Sequence, residues 1–207
     1  MLKKIIMTMA LCAGLMMPAM AQAAPEIGKP APAFTGTDSK GVVHNLGDFK
    51  GKTVVLEWHN DQCPYVKKHY EGGHMQGLQK AAVADGVVWL TVNSGAEGKQ
   101  GFLSPDDTNK LMIEQKSAET ARILDTDGTI GKAYGAKTTP HMFVIDKDGT
   151  LAYMGAIDDR PTSNKADIEG AKNYVTAALQ SLKDGKPVET AQTQPYGCGV
   201  KYSDKGM

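Results

Sequence analysis

The apolar, β-branched run Thr53-Val-Val-Leu-Glu-Trp58 stops at a four-residue loop, His59-Asn-Asp-Gln62, and Cys63-Pro64 follows at once. That order constrains the chain to a strand that feeds straight into a helix. Pro64 has no N–H and a φ already set for the first helical position, so Cys63 falls at the N-cap, where unpaired backbone N–H groups point outward. The positive end of a helix favours thiolate over thiol, and the thiolate is the form that attacks a disulfide or a peroxide. Cys63 is therefore expected to be a redox-active thiol.

The rest of the chain supplies the layers such a strand and helix need. Phe34 and Val42-Val43 flank the turn signal Asp38-Ser-Lys-Gly41 and read as a small hairpin. A helix is expected from Pro64 to about Ala84, with Gly72-Gly73 a place to bend or break it. Val87-Val-Trp-Leu-Thr-Val92 has the continuous apolar pattern of a strand buried on both faces. Ser104-Pro105-Asp106-Asp107 carries an N-cap, a first-turn proline and acidic residues, so a helix runs from Pro105 to about Gln115. Arg122 to Asp125 is a short strand, and Gly128 to Tyr134 a brief helix capped by Asp127. His141 to Ile145 is a strand that Asp146-Lys-Asp-Gly149 turns back into Thr150 to Met154. A final amphipathic helix is expected from Asn164 to Asp184-Gly185. The alternation predicts an α/β fold, a three-layer sandwich around a central mixed sheet, with an N-terminal hairpin and a C-terminal extended tail.

Lys3-Lys4, the apolar stretch Ile5 to Met17 and the small residues Ala19 to Ala24 have the pattern of a secretory signal peptide. The expected organisation is thus a signal peptide over residues 1–23, one domain over 24–186 and a tail over 187–207 that carries Cys198. Cys12 leaves with the signal, and the mature chain is expected to be exported, to the periplasm, with no membrane partner after cleavage. In an oxidising compartment a disulfide between Cys63 and Cys198 becomes plausible, as a structural staple or as part of a redox cycle. The tail Pro195-Tyr-Gly-Cys-Gly199 has a composition mobile enough to bring its thiol to Cys63. Charge is balanced at 23 basic and 23 acidic residues, which gives no footing for a nucleic-acid partner.

Cys63-Pro64-Tyr65-Val66, Lys137-Thr138-Thr139-Pro140 ahead of an apolar strand, and Asp146-Lys-Asp-Gly149 together resemble the thioredoxin fold in its peroxiredoxin-like redoxin branch, the alkyl hydroperoxide reductase and thiol-specific antioxidant type. Asn93-Ser94, Leu124 to Gly135, Gly155 to Asp159 and Gly197-Cys198-Gly-Val-Lys-Tyr202 extend the likeness over nearly all of the mature chain. The resemblance implies that Pro140 is a cis-proline beside Cys63, turning Thr139 so that its backbone faces the thiol and can pair with an extended chain. It departs from the better-known families in two ways. Val66 stands where a Cys-x-x-Cys pair would have its second thiol, and Asn60 and Leu56 replace the threonine or serine and the proline that precede a peroxidatic cysteine. Asn60 is left either to hydrogen-bond a thiolate or peroxide oxygen or to make an Asx-turn. No arginine falls in an obvious motif position.

His59, Cys63, His69 and His74 have the chemistry of metal ligands, but on one continuous helix His69 and His74 turn about 240° and 20° from Cys63. No shared face results, so His69 and His74 are expected to be surface histidines on a polar helix, with no metal and no cofactor. His141, next to Pro140, is a candidate to hold the Cys63 thiolate as an ion pair or else a satisfied core histidine. The expected activity is a thiol-dependent oxidoreductase: hydroperoxide reduction at Cys63, with Cys198 as resolving or partner thiol and a thiol electron donor. The alternatives are a thiol–disulfide oxidoreductase or redox-linked chaperone acting on a protein disulfide, and a non-catalytic binding module on the same scaffold.

Overall fold

The structure is a computed structural model that describes residues 24–204. The expected signal peptide and Cys12 lie outside the described residues. Strands β1 (Thr35–Thr37) and β2 (Val43–Asn45) form the N-terminal hairpin. The central sheet follows. In it β3 (Val54–Trp58) is flanked by β4 (Val88–Asn93), which runs parallel to it, and by β7 (His141–Ile145), which runs antiparallel. Strand β5 (Ala121–Leu124) extends the parallel side, and β8 (Leu151–Gly155) folds back on β7, giving the order β5-β4-β3-β7-β8. This is the thioredoxin-like α/β sandwich with a mixed sheet.

Every residue of β3 and β4 is buried, because both faces of the sheet are covered. Alternate side chains therefore serve two separate cores. Leu56, Trp58, Leu90, Val92 and Phe143 pack with the N-terminal segment and with Ile130 and Tyr134 on one side. Val55, Trp89, Met142 and Val144 pack on the other with helices α1 (Pro64–Tyr70), α2 (His74–Ala84) and α5 (Tyr174–Lys183). Each fully buried large apolar side chain contributes roughly 1.5–3 kcal/mol. Helix α3 (Pro105–Glu114) starts as its sequence predicts, with the Ser104 hydroxyl accepting from the Asp107 N–H, and α4 (Thr129–Ala133) follows β5.

The break allowed at Gly72-Gly73 occurs, and one helix expectation is corrected. The helix expected from Pro64 to Ala84 is two helices, because Gly73 takes φ +76°, a left-handed conformation open to glycine, and restarts the chain in a new direction. The last helix begins at Tyr174 rather than after Asn164. Asn164 caps only a 3-10 turn over Lys165–Ile168, Gly170 breaks the chain at φ +72°, and the Asn173 carboxamide oxygen then accepts from the Thr176 N–H.

The segment after α5 is a strap fixed at successive points. It runs along the free edge of β8, where the Met154 N–H donates to Ala191 O (3.0 Å) and the Thr193 N–H to Met154 O (3.1 Å). It then forms β9 (Cys198–Gly199), paired antiparallel with β6 (Thr138–Thr139). Beyond that the Ala96 N–H donates to Lys201 O (2.9 Å), and the Tyr202 hydroxyl donates to Ala136 O (2.8 Å). The tail expected to be mobile is thus docked along its length by backbone pairing that residue composition does not reveal.

Candidate functional site

Cys63 is presented by a short, well-bonded loop. Its N–H donates to Asn60 O (3.0 Å), the Asn60 side-chain oxygen accepts from the Gln62 N–H (2.9 Å), and Pro64 opens α1 at the first helical position. The Asx-turn is the role Asn60 plays: its carboxamide lies against Gly101 and donates to Gln100 O (3.5 Å). Helix α1 has only seven residues, yet the favourable interaction of a thiolate with outward N–H groups is confined to the first turn in any case.

The Thr139–Pro140 peptide is cis, and the Thr139 carbonyl accepts a hydrogen bond from the Cys63 sulfur at 3.0 Å. Cys63 is fully buried. Directly across from Thr139 in the β6–β9 pair lies Cys198, and the Thr139 hydroxyl donates to its carbonyl at 3.4 Å. Both cysteines are free thiols, and they interact. Burial first, then the hydrogen bond to Cys63, push the Cys198 thiol well up, so Cys198 keeps its proton. Five of the seven expected site residues, Cys63, Pro64, Thr139, Pro140 and Cys198, therefore meet at one place, with Asn60 in support.

His141 does not join them. It is buried on the Trp58–Phe143 side of the sheet, its ring 4.4 Å from that of Phe143, and its Nδ1 accepts from the Lys137 N–H (3.3 Å). Burial and Lys137 hold its pKa down to about 3. A neutral imidazole on the opposite face forms no ion pair with Cys63; the core-histidine alternative is the one that applies.

The histidine expectations change as well. His69 is fully buried and His74 half-buried, with their Nδ1 atoms 3.1 Å apart. They meet because the chain breaks between them, so the single-helix angular argument does not hold. Among the described residues no group of three or more metal-binding side chains is assembled. Arg122 is buried beside α3, with its guanidinium on Glu119 at 2.8 Å and its remaining donors aimed at Gln115 and Ser117.

Three features went unread in the sequence. Glu57 is wholly buried in β3 and accepts from Tyr70 Oη (2.8 Å), Trp89 Nε1 (2.8 Å) and Gln79 Nε2 (3.2 Å). A lone acid inside an apolar run was the available signal. Lys68 and Asp158 form a buried ion pair at 3.5 Å, and Tyr196 reaches it from the tail. Gly197, at φ +135°, lies so close to the active-site peptide that a Cβ there would stand 2.1 Å from Thr139 O. Gly197→Ala should therefore lift the strap from β6. Overpacking of this kind costs about 1–3 kcal/mol, so alkylation of Cys63 is expected to run roughly tenfold faster. Unchanged alkylation would show that the strap does not shield the thiol.

A buried helix-start thiol facing a cis-proline peptide on this fold defines a thiol-dependent redox protein of the thioredoxin superfamily. Residues 27–154, more than half of the chain, match the AhpC/TSA family, and the chain belongs to that family. It is also similar to the thiol-disulfide oxidoreductase ResA of Bacillus cereus (strain ATCC 10987 / NRS 248), at 33% identity over 126 residues, 61% of this chain and 67% of that protein. Among solved structures, an uncharacterized conserved protein of Geobacillus kaustophilus superposes with a TM-score of 0.76 at 27% identity, covering 87% of this chain and 94% of the other. A hypothetical protein of Sinorhizobium meliloti 1021 superposes with a TM-score of 0.72 at 23% identity, covering 88% and 97%, a likeness of fold alone.

Proposed function

We propose that this chain is an exported thiol–disulfide oxidoreductase that works through a Cys63–Cys198 couple. The observation that carries the reading is the pairing of Cys198 with Thr139, which puts a second thiol beside Cys63 although none stands three residues after it. In the proposed cycle the Cys63 thiolate attacks a substrate disulfide, forming a mixed disulfide and releasing one substrate thiolate. Cys198 passes its proton to a departing thiolate and attacks the Cys63 sulfur, releasing the second. The substrate gains two electrons, the protein holds a Cys63–Cys198 disulfide, and a dithiol donor restores the pair.

This reading replaces the hydroperoxide preference. The similarity to ResA supports it, and so does the commitment of the side chains that a peroxide would need. The Asn60 carboxamide is engaged in its loop, and the Arg122 guanidinium is engaged with Glu119.

The test is to mix the reduced protein with insulin or with hydrogen peroxide and to map the products by non-reducing mass spectrometry. The expected result is stoichiometric insulin reduction with an intrachain Cys63–Cys198 disulfide, and peroxide consumption no faster than that of an ordinary thiol. Rapid peroxide turnover would restore the peroxidase reading. Oxidised Cys63 beside a free Cys198 would remove the second thiol from the mechanism.

A further inference from the structure

A buried charged cluster that the exchange chemistry does not use lies between α1, the loop after β8 and the tail. Lys68, a residue usually found in water, has a fully buried side chain; its ammonium donates to Arg160 O at 2.8 Å and stands 3.5 Å from Asp158 Oδ2. Asp158 is equally enclosed. Its Oδ1 accepts from the Arg160 N–H (2.9 Å) and from the Tyr196 hydroxyl, while Oδ2 makes no hydrogen bond. His69 stands 3.8 Å away with its Nε2 also unpartnered.

Such a cluster is a poor way to stabilise a fold. Desolvating two charges costs several kcal/mol per ion, and an ion pair with an unsatisfied oxygen recovers that incompletely, so an apolar pair of the same volume would serve the core as well or better. The cluster does one thing an apolar pair could not: it offers a fixed acceptor to Tyr196. The Tyr196 ring is also held, with the Lys68 ammonium 5.6 Å from its centroid and the Tyr65 ring edge-on at 5.9 Å. Tyr196 is two residues before Cys198. Between them is Gly197, pressed on Thr139.

We propose that Asp158, braced by Lys68, is a positioning residue that holds Tyr196 and so keeps Cys198 in reach of the Cys63 sulfur for the second, resolving step. The inference rests on the assignment of Cys198 as partner thiol. It adds that the partner's effective concentration is set by a hydrogen bond made outside the reacting atoms. Losing a hydrogen bond to a charged acceptor corresponds to roughly tenfold or more in that local equilibrium.

Tyr196→Phe is the variant of choice, since it removes one hydroxyl and keeps the ring against Lys68 and Tyr65; Asp158→Asn is a second, more disruptive change. The reduced protein is mixed with oxidised glutathione, and the lifetime of the Cys63–glutathione adduct is read by acid-quenched mass spectrometry. Cys198 ends the adduct by attacking the Cys63 sulfur and expelling glutathione as thiol. The expected result is an adduct at least about tenfold longer-lived in Tyr196→Phe, while that substitution in a Cys198→Ser background does not slow alkylation of Cys63 and, where it loosens the strap, speeds it. Equal lifetimes in wild type and Tyr196→Phe would overturn the inference while leaving the Cys198 assignment standing. So would a slowing of Cys63 alkylation in the Cys198→Ser background as large as the lengthening of the adduct, which would mean that the substitution lowers the reactivity of Cys63 itself rather than the reach of Cys198. An adduct that persists indefinitely in the wild-type protein would overturn the assignment itself.

Discussion

Cys63→Ser is expected to reduce disulfide exchange by at least about 10³-fold, the scale on which loss of a nucleophile acts, whereas Cys198→Ser should stop the cycle halfway. The asymmetry follows from the geometry. Cys63 stands at the start of a helix, where outward N–H groups face its sulfur, while Cys198 keeps its proton under burial and beside the neighbouring sulfur. A serine at 198 keeps the backbone pairing with Thr139 and removes only the resolving thiol. Substrate chains should then accumulate on Cys63 as mixed disulfides, visible as a shifted band on non-reducing gels that collapses with reductant. If instead Cys198→Ser abolishes substrate capture and Cys63→Ser retains it, the roles are reversed. Unimpaired function of the Cys63→Ser protein in cells would point to a binding module on a redoxin scaffold.

Much of this site was legible in the sequence because its parts are local. Strand, loop, Cys63 and Pro64 are contiguous, and each carries its own signal: β-branched residues, loop residues, then a proline fixed at the first helical position. The Asp146-Lys-Asp-Gly149 turn declared the hairpin in the same way. Long-range packing was not legible. Lys67-Lys68-His69 reads as a solvated helical face, yet the tail and the loop around Asp158 cover it, and Lys68 and His69 are buried while Lys67 stays exposed. Period and propensity describe what a segment can do alone; they do not say which face another segment hundreds of ångströms of extended chain away will cover. The same holds for Cys198. Its glycine-flanked context suggested freedom, but Gly197 is there because Thr139 leaves no room for a side chain.

Between pH 8 and pH 5, Glu57→Gln is expected to lose stability more steeply than the wild type, by about 2.5 kcal/mol. Three buried imidazoles set the background. Burial, aided by neighbouring charges, holds His69 and His141 down to about 3 and His59 well below its ordinary value. Their folded pKa values lie below the unfolded value near 6.5, so the unfolded chain binds the extra protons. The stability they contribute is full above about pH 6.5 and is lost as pH falls, by about 2 kcal/mol at pH 5 for each of His69 and His141. Glu57 acts in the opposite sense. Burial, then the Glu119 charge, raise it from 4.5 to about 7 against the pull of its Tyr70 and Trp89 hydrogen bonds. Its folded pKa exceeds its unfolded one, so its contribution is full below about pH 4.5 and is lost as pH rises through 7. Acidification from pH 8 therefore strengthens the fold through Glu57 while weakening it through the histidines, and the amide at position 57 deletes only the first effect. Urea midpoints for both proteins across this range measure the difference. Parallel profiles would mean that Glu57 does not exchange a proton on folding, and that its four hydrogen-bond donors, Tyr70, Gln79, Trp89 and Thr91, rather than burial, decide its charge.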